Sequence, residues 1–92
     1  MARPHNSADI FRAIAHPARR QMLDLLRKEP RTVAELSRPF EMSQPSISGH
    51  LQVLRTAGLI EFRVRGATHE YSLVRARLKP IEDWIGQYQR RG

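Results

Sequence analysis

The sequence contains no cysteine, only two lysines, and no apolar run long enough to cross a bilayer. The absence of cysteine excludes a disulfide framework, thiolate metal ligands and a cysteine nucleophile. The opening residues, MARPHNSADIF, lack the apolar segment of a secretory signal. We therefore expect a soluble cytoplasmic protein without a membrane partner.

The chain is short and strongly basic. Its 92 residues suffice for one small domain. A domain of this size buries only roughly 60% of its unfolded surface and gains stability from a partner. Sixteen Lys and Arg against nine Asp and Glu give a net charge of +7, nearly all of it from arginine. Such an excess favours salt-dependent binding to a polyanion, although a solvated basic surface or anionic lipid would also account for it.

Hydrophobic periodicity predicts a mainly α-helical domain of about five helices with one two-stranded β-hairpin. After a tail expected to be disordered over residues 1–7, Ser7 can cap the first helix. Thr32 and Glu35 form a capping-box pattern before the third helix, and Ser43 can cap the fourth. The predicted helices are about 8–15, 17–28, a short one after Thr32, one from Ser43 to Gly58, and about 75–90. Pro80 suits a first helical turn, so Lys79 is the alternative start of the last helix. The predicted strands are 59–65 and 68–73.

The stretch 32–58 reads as a short helix, a tight turn and a longer helix, which is the helix-turn-helix arrangement. In the longer helix, Ile47, Leu51 and Leu54 fall on one side and predict a core face. The opposite side is polar or small, with Gln and Ser side chains that can contact bases or phosphates. Gly49 weakens the helix there, either to permit close approach of DNA or for no functional reason. The outward and flanking residues are Gln44, Pro45, Ser46, Ser48, Gly49, Gln52, Arg55 and Thr56.

The predicted hairpin, with its connections, covers 59–74. Ile60, Phe62 and Val64 alternate with charged residues, which predicts an inward apolar face and an outward face bearing Arg63 and Arg65. A basic hairpin after a recognition helix is a wing, which can reach a phosphate or the minor groove.

The terminal helices carry more apolar surface than so small a domain can cover by itself. We therefore predict a homodimer joined through both, with the last helix, 75–90, contributing most. Packing within one subunit is the alternative. The predicted interface residues are Ile10, Phe11, Ile14, Leu78, Ile81, Trp84, Ile85 and Tyr88.

Three segments, FRAIAHPARRQMLDLL, TVAELSRPFEMSQPSISGHLQVLRTAGLI and RGATHEYSL, together resemble the ArsR/SmtB family of winged-helix repressors. The resemblance covers about residues 9–88. It implies a homodimer that represses transcription from an inverted-repeat operator in double-stranded DNA. It also implies base reading by Gln44, Ser46, Ser48 and Gly49, and a wing carrying Arg63 and Arg65. His50 matches the histidine usual in this helix, and the resemblance implies that it too belongs to the DNA-binding residues.

The metal ligands of many family members have no counterpart here. Thr32 and Ala34 stand where metal-sensing members have a Cys-x-Cys pair, and the last helix contains no histidine. The four histidines show no ligand spacing along the sequence. The chain thus resembles the metal-independent, autorepressor-like branch, and we expect no metal site and no cofactor.

Other classes of function find less support in the sequence. There is no glycine-rich phosphate loop and no nucleophile beside a base, so we do not expect an enzyme. A metal- or small-ligand-responsive repressor, and an interaction module that docks a different protein through its last helix, remain alternatives.

Overall fold

A computed structural model of the protein describes residues 6–89. This part of the chain contains five α-helices, a single 3₁₀ turn and three short strands. In chain order they are α1 (Ser7–Ala13), α2 (Pro17–Lys28), β1 (Arg31–Thr32), α3 (Val33–Ser37), α4 (Gln44–Thr56), β2 (Ile60–Arg65), β3 (Thr68–Leu73), the 3₁₀ turn (Arg75–Leu78) and α5 (Lys79–Gln89).

Helix α1 begins earlier than predicted. The side chain of Asn6, not Ser7, accepts the hydrogen bond from the backbone N–H of Asp9 at 3.0 Å, and Ser7 is already helical. Both residues are good caps, and their order along the chain does not distinguish them. The predicted disordered tail is therefore wrong at residues 6 and 7, and residues 1–5 lie outside the described part.

The core forms where α1, α2, α3 and α4 meet the base of the sheet. Met22 and Leu36 are completely buried, as the apolar spacing of their helices requires. Ile47, Leu51 and Leu54 join them from α4, which confirms the predicted inner face of that helix. Phe40 packs against this core from the turn between α3 and α4.

Helix α3 has the predicted capping box. Thr32 Oγ1 accepts from Glu35 N–H, and the Glu35 carboxylate accepts from the Thr32 backbone at 2.9 Å. These hydrogen bonds favour the ionised carboxylate and lower the pKa of Glu35. The same threonine belongs to β1, which pairs antiparallel with β3. The sheet thus has three strands in the order β1-β3-β2, not the two predicted, because two extended residues leave no alternating pattern to detect.

The hairpin turns at Gly66, whose φ of 60° suits glycine. Arg65 faces Thr68 across it. Only Ile60 of β2 is buried; Phe62 is 37% exposed and Val64 61%. The predicted inward positions of Phe62 and Val64 are therefore wrong for the isolated subunit, because the strands extend beyond the helices that would cover them.

The last helix starts at Lys79, after the 3₁₀ turn, and not at residue 75. Pro80 fits its first turn, where a missing N–H costs little. Helix α5 packs on α1, with the Trp84 ring edge-on to Phe11 at a centroid distance of 5.8 Å. No residue of α5 is buried. Across residues 6–89 no helix is long and apolar enough to span a membrane.

Candidate nucleic-acid interface

The first turn of α4 is fixed by its cap. Ser43 Oγ accepts from the Ser46 backbone N–H at 3.3 Å, and its hydroxyl donates to Ser46 Oγ at 3.0 Å. Pro45 adds the fixed φ that suits a helix start. The result is a well-defined helix N-terminus, the end whose dipole favours contact with an anionic group.

The outer face of α4 has the composition predicted from the sequence. All eight predicted outward and flanking residues are exposed: Gln44, Pro45, Ser46, Ser48, Gly49, Gln52, Arg55 and Thr56. The amide of Gln52 donates to Thr56 Oγ1 at 3.3 Å, a weak contact that a base edge can replace. This face leaves a helix of small and polar residues open to an external surface.

Gly49 lies in the middle of this face, and the fold does not require a glycine there. A Cβ built at Gly49 meets no atom within 4 Å, and positive φ among the described glycines occurs only at Gly58 and Gly66. Glycine in a helix interior costs about 1 kcal/mol relative to alanine. The described part of the subunit thus gives no steric or backbone reason for a glycine at this position. This favours close approach of an external surface as the reason for it.

Arg55 connects the recognition helix to the wing. Its guanidinium lies over the Phe62 ring, 4.2 Å from the centroid, in a cation–π contact. The sequence placed Arg55 at the edge of the binding face but gave no sign of this contact, because it depends on how β2 leaves the end of α4. The contact holds the Arg55 guanidinium against the first strand of the hairpin.

The wing arginines flank a carboxylate. Arg65 forms a 3.5 Å ion pair with Glu70, and Arg63 is the cross-strand partner of the same residue. The Arg65 side chain remains 68% exposed, so the ion pair is worth little in water. The Arg65 guanidinium can therefore exchange Glu70 for an external anion at small cost.

His50 contacts residues that are far away in the sequence. The centroid of its ring lies 4.5 Å from the centroid of the His16 ring, and Arg19 Nη1 lies 3.3 Å from His50 Nδ1. Burial, followed by the neighbouring His16 and Arg19, lowers the pKa of His50. The sequence had indicated four unrelated histidines, and only the packing of α2 on α4 brings two together.

The terminal helices expose part of the predicted interface. Ile10 is only 3% exposed within the subunit's own core, so the structure removes it from the predicted set. Ile14, Leu78 and Ile81 pack against the same core but stay partly open. Trp84, Ile85 and Tyr88 are exposed, and Tyr88 reaches 71%. We call these last three residues the α5 patch.

The described residues offer no group of three or more His, Cys, Asp or Glu side chains arranged to hold a metal ion. The His16–His50 pair has an arginine, not a third ligand, as its neighbour. A cationic guanidinium beside two imidazoles opposes binding of a cation.

A short helix, a turn, a capped helix with a free polar face, and a basic hairpin define a winged helix-turn-helix protein, a DNA-binding class. Residues 16–61 match the arsR family of bacterial regulatory proteins. The chain is 34% identical over 84 residues to the transcriptional repressor SdpR of Bacillus subtilis, covering 91% of this chain and 93% of that one. It thus belongs to the arsR family and is a DNA-binding transcriptional regulator.

Other similar proteins are also named as transcriptional regulators. An HTH-type transcriptional regulator of Methanocaldococcus jannaschii is 34% identical over 86 residues, covering 88% of this chain and 92% of that one. The crystal structure of an ArsR family transcriptional regulator superposes with a TM-score of 0.81 at 32% identity, covering 90% of this chain and 86% of the other. These comparisons confirm the predicted winged helix-turn-helix fold and the predicted family.

Proposed function

We propose that the protein is a homodimeric repressor that occupies an inverted-repeat operator, without a metal ion as effector. The observation that supports this best is the outer face of α4, which is polar, lacks any bulky group at Gly49, and lies beside the basic wing. A recognition helix of this kind fits the major groove, and the helices of a two-fold dimer enter successive grooves about one helical turn apart.

In this proposal each segment has its own task. Residues 32–58 form the reading unit, 59–74 the wing, and 75–90 the dimerisation helix, of which residue 90 lies outside the described part. Base contacts come from Gln44, Ser46, Ser48 and Gln52, while Arg63 and Arg65 bind phosphates. His50 supports the helix from its inner edge, because its ring packs on α2.

The α5 patch supports the homodimer. Its three side chains are apolar or aromatic. Trp84 contacts Phe11 of α1 and Tyr88 packs on Trp84, so the apolar surface continues from α5 to α1. A second copy offers the same patch, and a two-fold axis brings the two patches together. The acidic residues Glu82 and Asp83 line a groove with Gly86 on the other side of α5, so their charge lies away from the patch and does not oppose the contact.

Fluorescence anisotropy on duplex DNA from the protein's own promoter tests the proposed function. We expect tight binding to that duplex, weaker binding to a scrambled duplex of equal length, and a steep loss of affinity as salt is raised. A footprint with two-fold symmetry is expected to coincide with the promoter. Equal affinity for both duplexes would contradict the proposal.

Arg65→Ala is expected to weaken binding to all duplexes by a similar factor. A phosphate contact carries no sequence information, and its loss lowers the slope of log affinity against log salt by about one. The measurement is the salt dependence of anisotropy on operator and scrambled DNA. Lys28→Ala removes an exposed charge at the end of α2, outside the reading unit and the wing, and is the matched control. An unchanged slope in Arg65→Ala would remove this arginine from the interface.

A further inference from the structure

The Arg19 side chain joins three separate parts of the fold. Its Nε donates to the carbonyl of Ala13 at 2.6 Å, and its Nη2 donates to the carbonyl of Arg12 at 3.2 Å. These carbonyls belong to the last turn of α1, where that of Arg12 also accepts from the Ala15 backbone N–H at 3.2 Å. Its Nη1 lies 3.3 Å from Nδ1 of His50, in the second turn of α4. One guanidinium thus holds the end of a terminal helix and the recognition helix together.

The contact with His50 has a strict protonation requirement. A guanidinium has five donors and no acceptor, so it can bond to Nδ1 of His50 only when that nitrogen carries no proton. Protonation of His50 replaces the hydrogen bond with repulsion between two cations. His16 also disfavours a protonated His50, because the two imidazole rings lie against each other. The Nδ1 of His16 itself accepts from the Ala18 backbone N–H at 3.1 Å.

Within residues 6–89, the charged or titratable side chains shown in contact with His50 are Arg19 and His16, neither of which is a carboxylate. From α2 it is faced by Arg19 and His16, the two groups that act on its charge. On the α1 side, Asp9 and Arg12 line a groove along Gln52 and Val53, on a different side of α4. The hairpin packs at the far end of the helix, where Arg55 lies on Phe62. The depressed pKa of His50 agrees with this arrangement.

We propose that Arg19 is a positioning residue for operator binding, which fixes α4 against α1 through neutral His50, so that acidification releases the recognition helix. The inference rests on the proposed function, because it assumes that α4 reads the operator and that α1 lies at the dimer interface. In a two-fold dimer the distance between the two recognition helices is set by the packing of each α4 on its own terminal helices. Loss of the Arg19 contacts between α1 and α4 is therefore expected to lower the affinity for an operator with two half-sites more than the affinity for DNA that is bound through charge alone.

Arg19→Ala is compared with Arg20→Ala. Arg20 donates to the carbonyl of Ile14 at 2.9 Å, so it also caps α1, but within residues 6–89 its side chain forms no hydrogen bond with α4. Both variants remove one positive charge. We expect Arg19→Ala to lose about tenfold in operator affinity, as for one charge-assisted hydrogen bond, with a much smaller loss on scrambled DNA. Arg20→Ala is expected to stay within about twofold on both.

The ratio of operator to scrambled affinity keeps this test valid if Arg19→Ala is partly unfolded, because an unfolded fraction weakens both equally. Arg19→Lys supplies a second variant, since one ammonium cannot reach both the α1 carbonyls and His50 in the fork geometry of arginine. It is expected to show the same loss of ratio. An unchanged ratio in both variants would overturn the proposal.

Acidification gives the second readout. Protonation of histidines adds positive charge, so binding to scrambled DNA is expected to strengthen or stay level between about pH 7.5 and about pH 5.5. Operator binding is expected to weaken several-fold as the pH falls below the usual range of histidine, because His50 has a lowered pKa and takes up its proton only there. His16→Asn, which keeps a capping acceptor but does not titrate, is expected to retain this opposite behaviour, whereas Arg19→Ala loses it. Parallel pH curves for the two duplexes in the wild-type protein would contradict the proposal.

NMR titration of His50 in the DNA-free protein separates this inference from the function on which it rests. Arg19→Ala is expected to raise the pKa of His50, because a hydrogen bond to the neutral ring and a neighbouring cation are both removed. If this shift occurs and no operator binding is found, the repressor proposal is wrong. If operator binding is found but its affinity ratio and pH curve do not depend on Arg19, only the positioning role is wrong.

Discussion

Ile85→Glu is expected to convert the protein from a dimer into a monomer and to weaken operator binding about hundredfold. Ile85 lies within the exposed α5 patch. A carboxylate there would have to be buried twice across the two-fold axis, with its copy nearby. A monomer loses the second half-site contact, which a dimer makes at high effective concentration and which is worth about 10²–10⁴ in affinity. Light scattering and anisotropy measure the two effects.

Lys79→Gln is the matched control for Ile85→Glu. It also lowers the net charge by one, on the opposite side of α5, and it removes only an exposed i,i+4 ion pair with Asp83. Such pairs contribute a few tenths of a kcal/mol, so the control is expected to stay dimeric and to bind operator normally. A dimeric Ile85→Glu protein would show that the α5 patch is not the interface.

Substitution of Gly49 is expected to move stability and DNA binding in opposite directions. Gly49→Ala and Gly49→Leu both remove a helix-weakening glycine from a position with open space around it, so we expect the free energy of unfolding to rise by about 1 kcal/mol. For a domain of this size that corresponds to a rise of roughly 4–8 °C in Tm. The leucine side chain is expected to hold α4 away from the groove. Loss of two base contacts of about 1–3 kcal/mol each lowers operator affinity about hundredfold.

Gly86→Ala is the control, because Gly86 lies within α5, has no atom within 4 Å of an added Cβ, and is on the side away from the α5 patch. It is expected to gain similar stability and leave operator binding unchanged. If Gly49→Leu were stabilised and still bound operator at wild-type affinity, the close approach of α4 to DNA would be wrong. Circular dichroism melts give the thermal stability and fluorescence anisotropy gives the operator affinity, both measured on the same samples.

Local chemistry accounts for the features that the sequence predicted well. The capping box at Thr32 and Glu35, the cap at Ser43 and the glycine turn at Gly66 each depend on residues a few positions apart. The core and outer faces of α4 follow from helical spacing within one segment. The predicted family depended on the same local segments, and the comparisons confirm it.

The features that the sequence did not reveal depend on contacts between distant segments. The two residues of β1 become a strand only because β3 lies alongside them. Phe62 and Val64 alternate like buried residues, yet the hairpin extends past the helices that would cover them. Ile10 has the same apolar character as the interface residues, and only the packing of α1 on the core shows that it is internal.

The sequence by itself determined the class of protein, the order of its five α-helices and the hairpin, and the two faces of α4, because periodicity and capping are local properties. Only the tertiary structure decided which of those residues act together. It brought Arg19 and His16 to His50, placed Arg55 on Phe62 and left the α5 patch uncovered. Each of these depends on the angle between packed elements, which no spacing along the chain encodes.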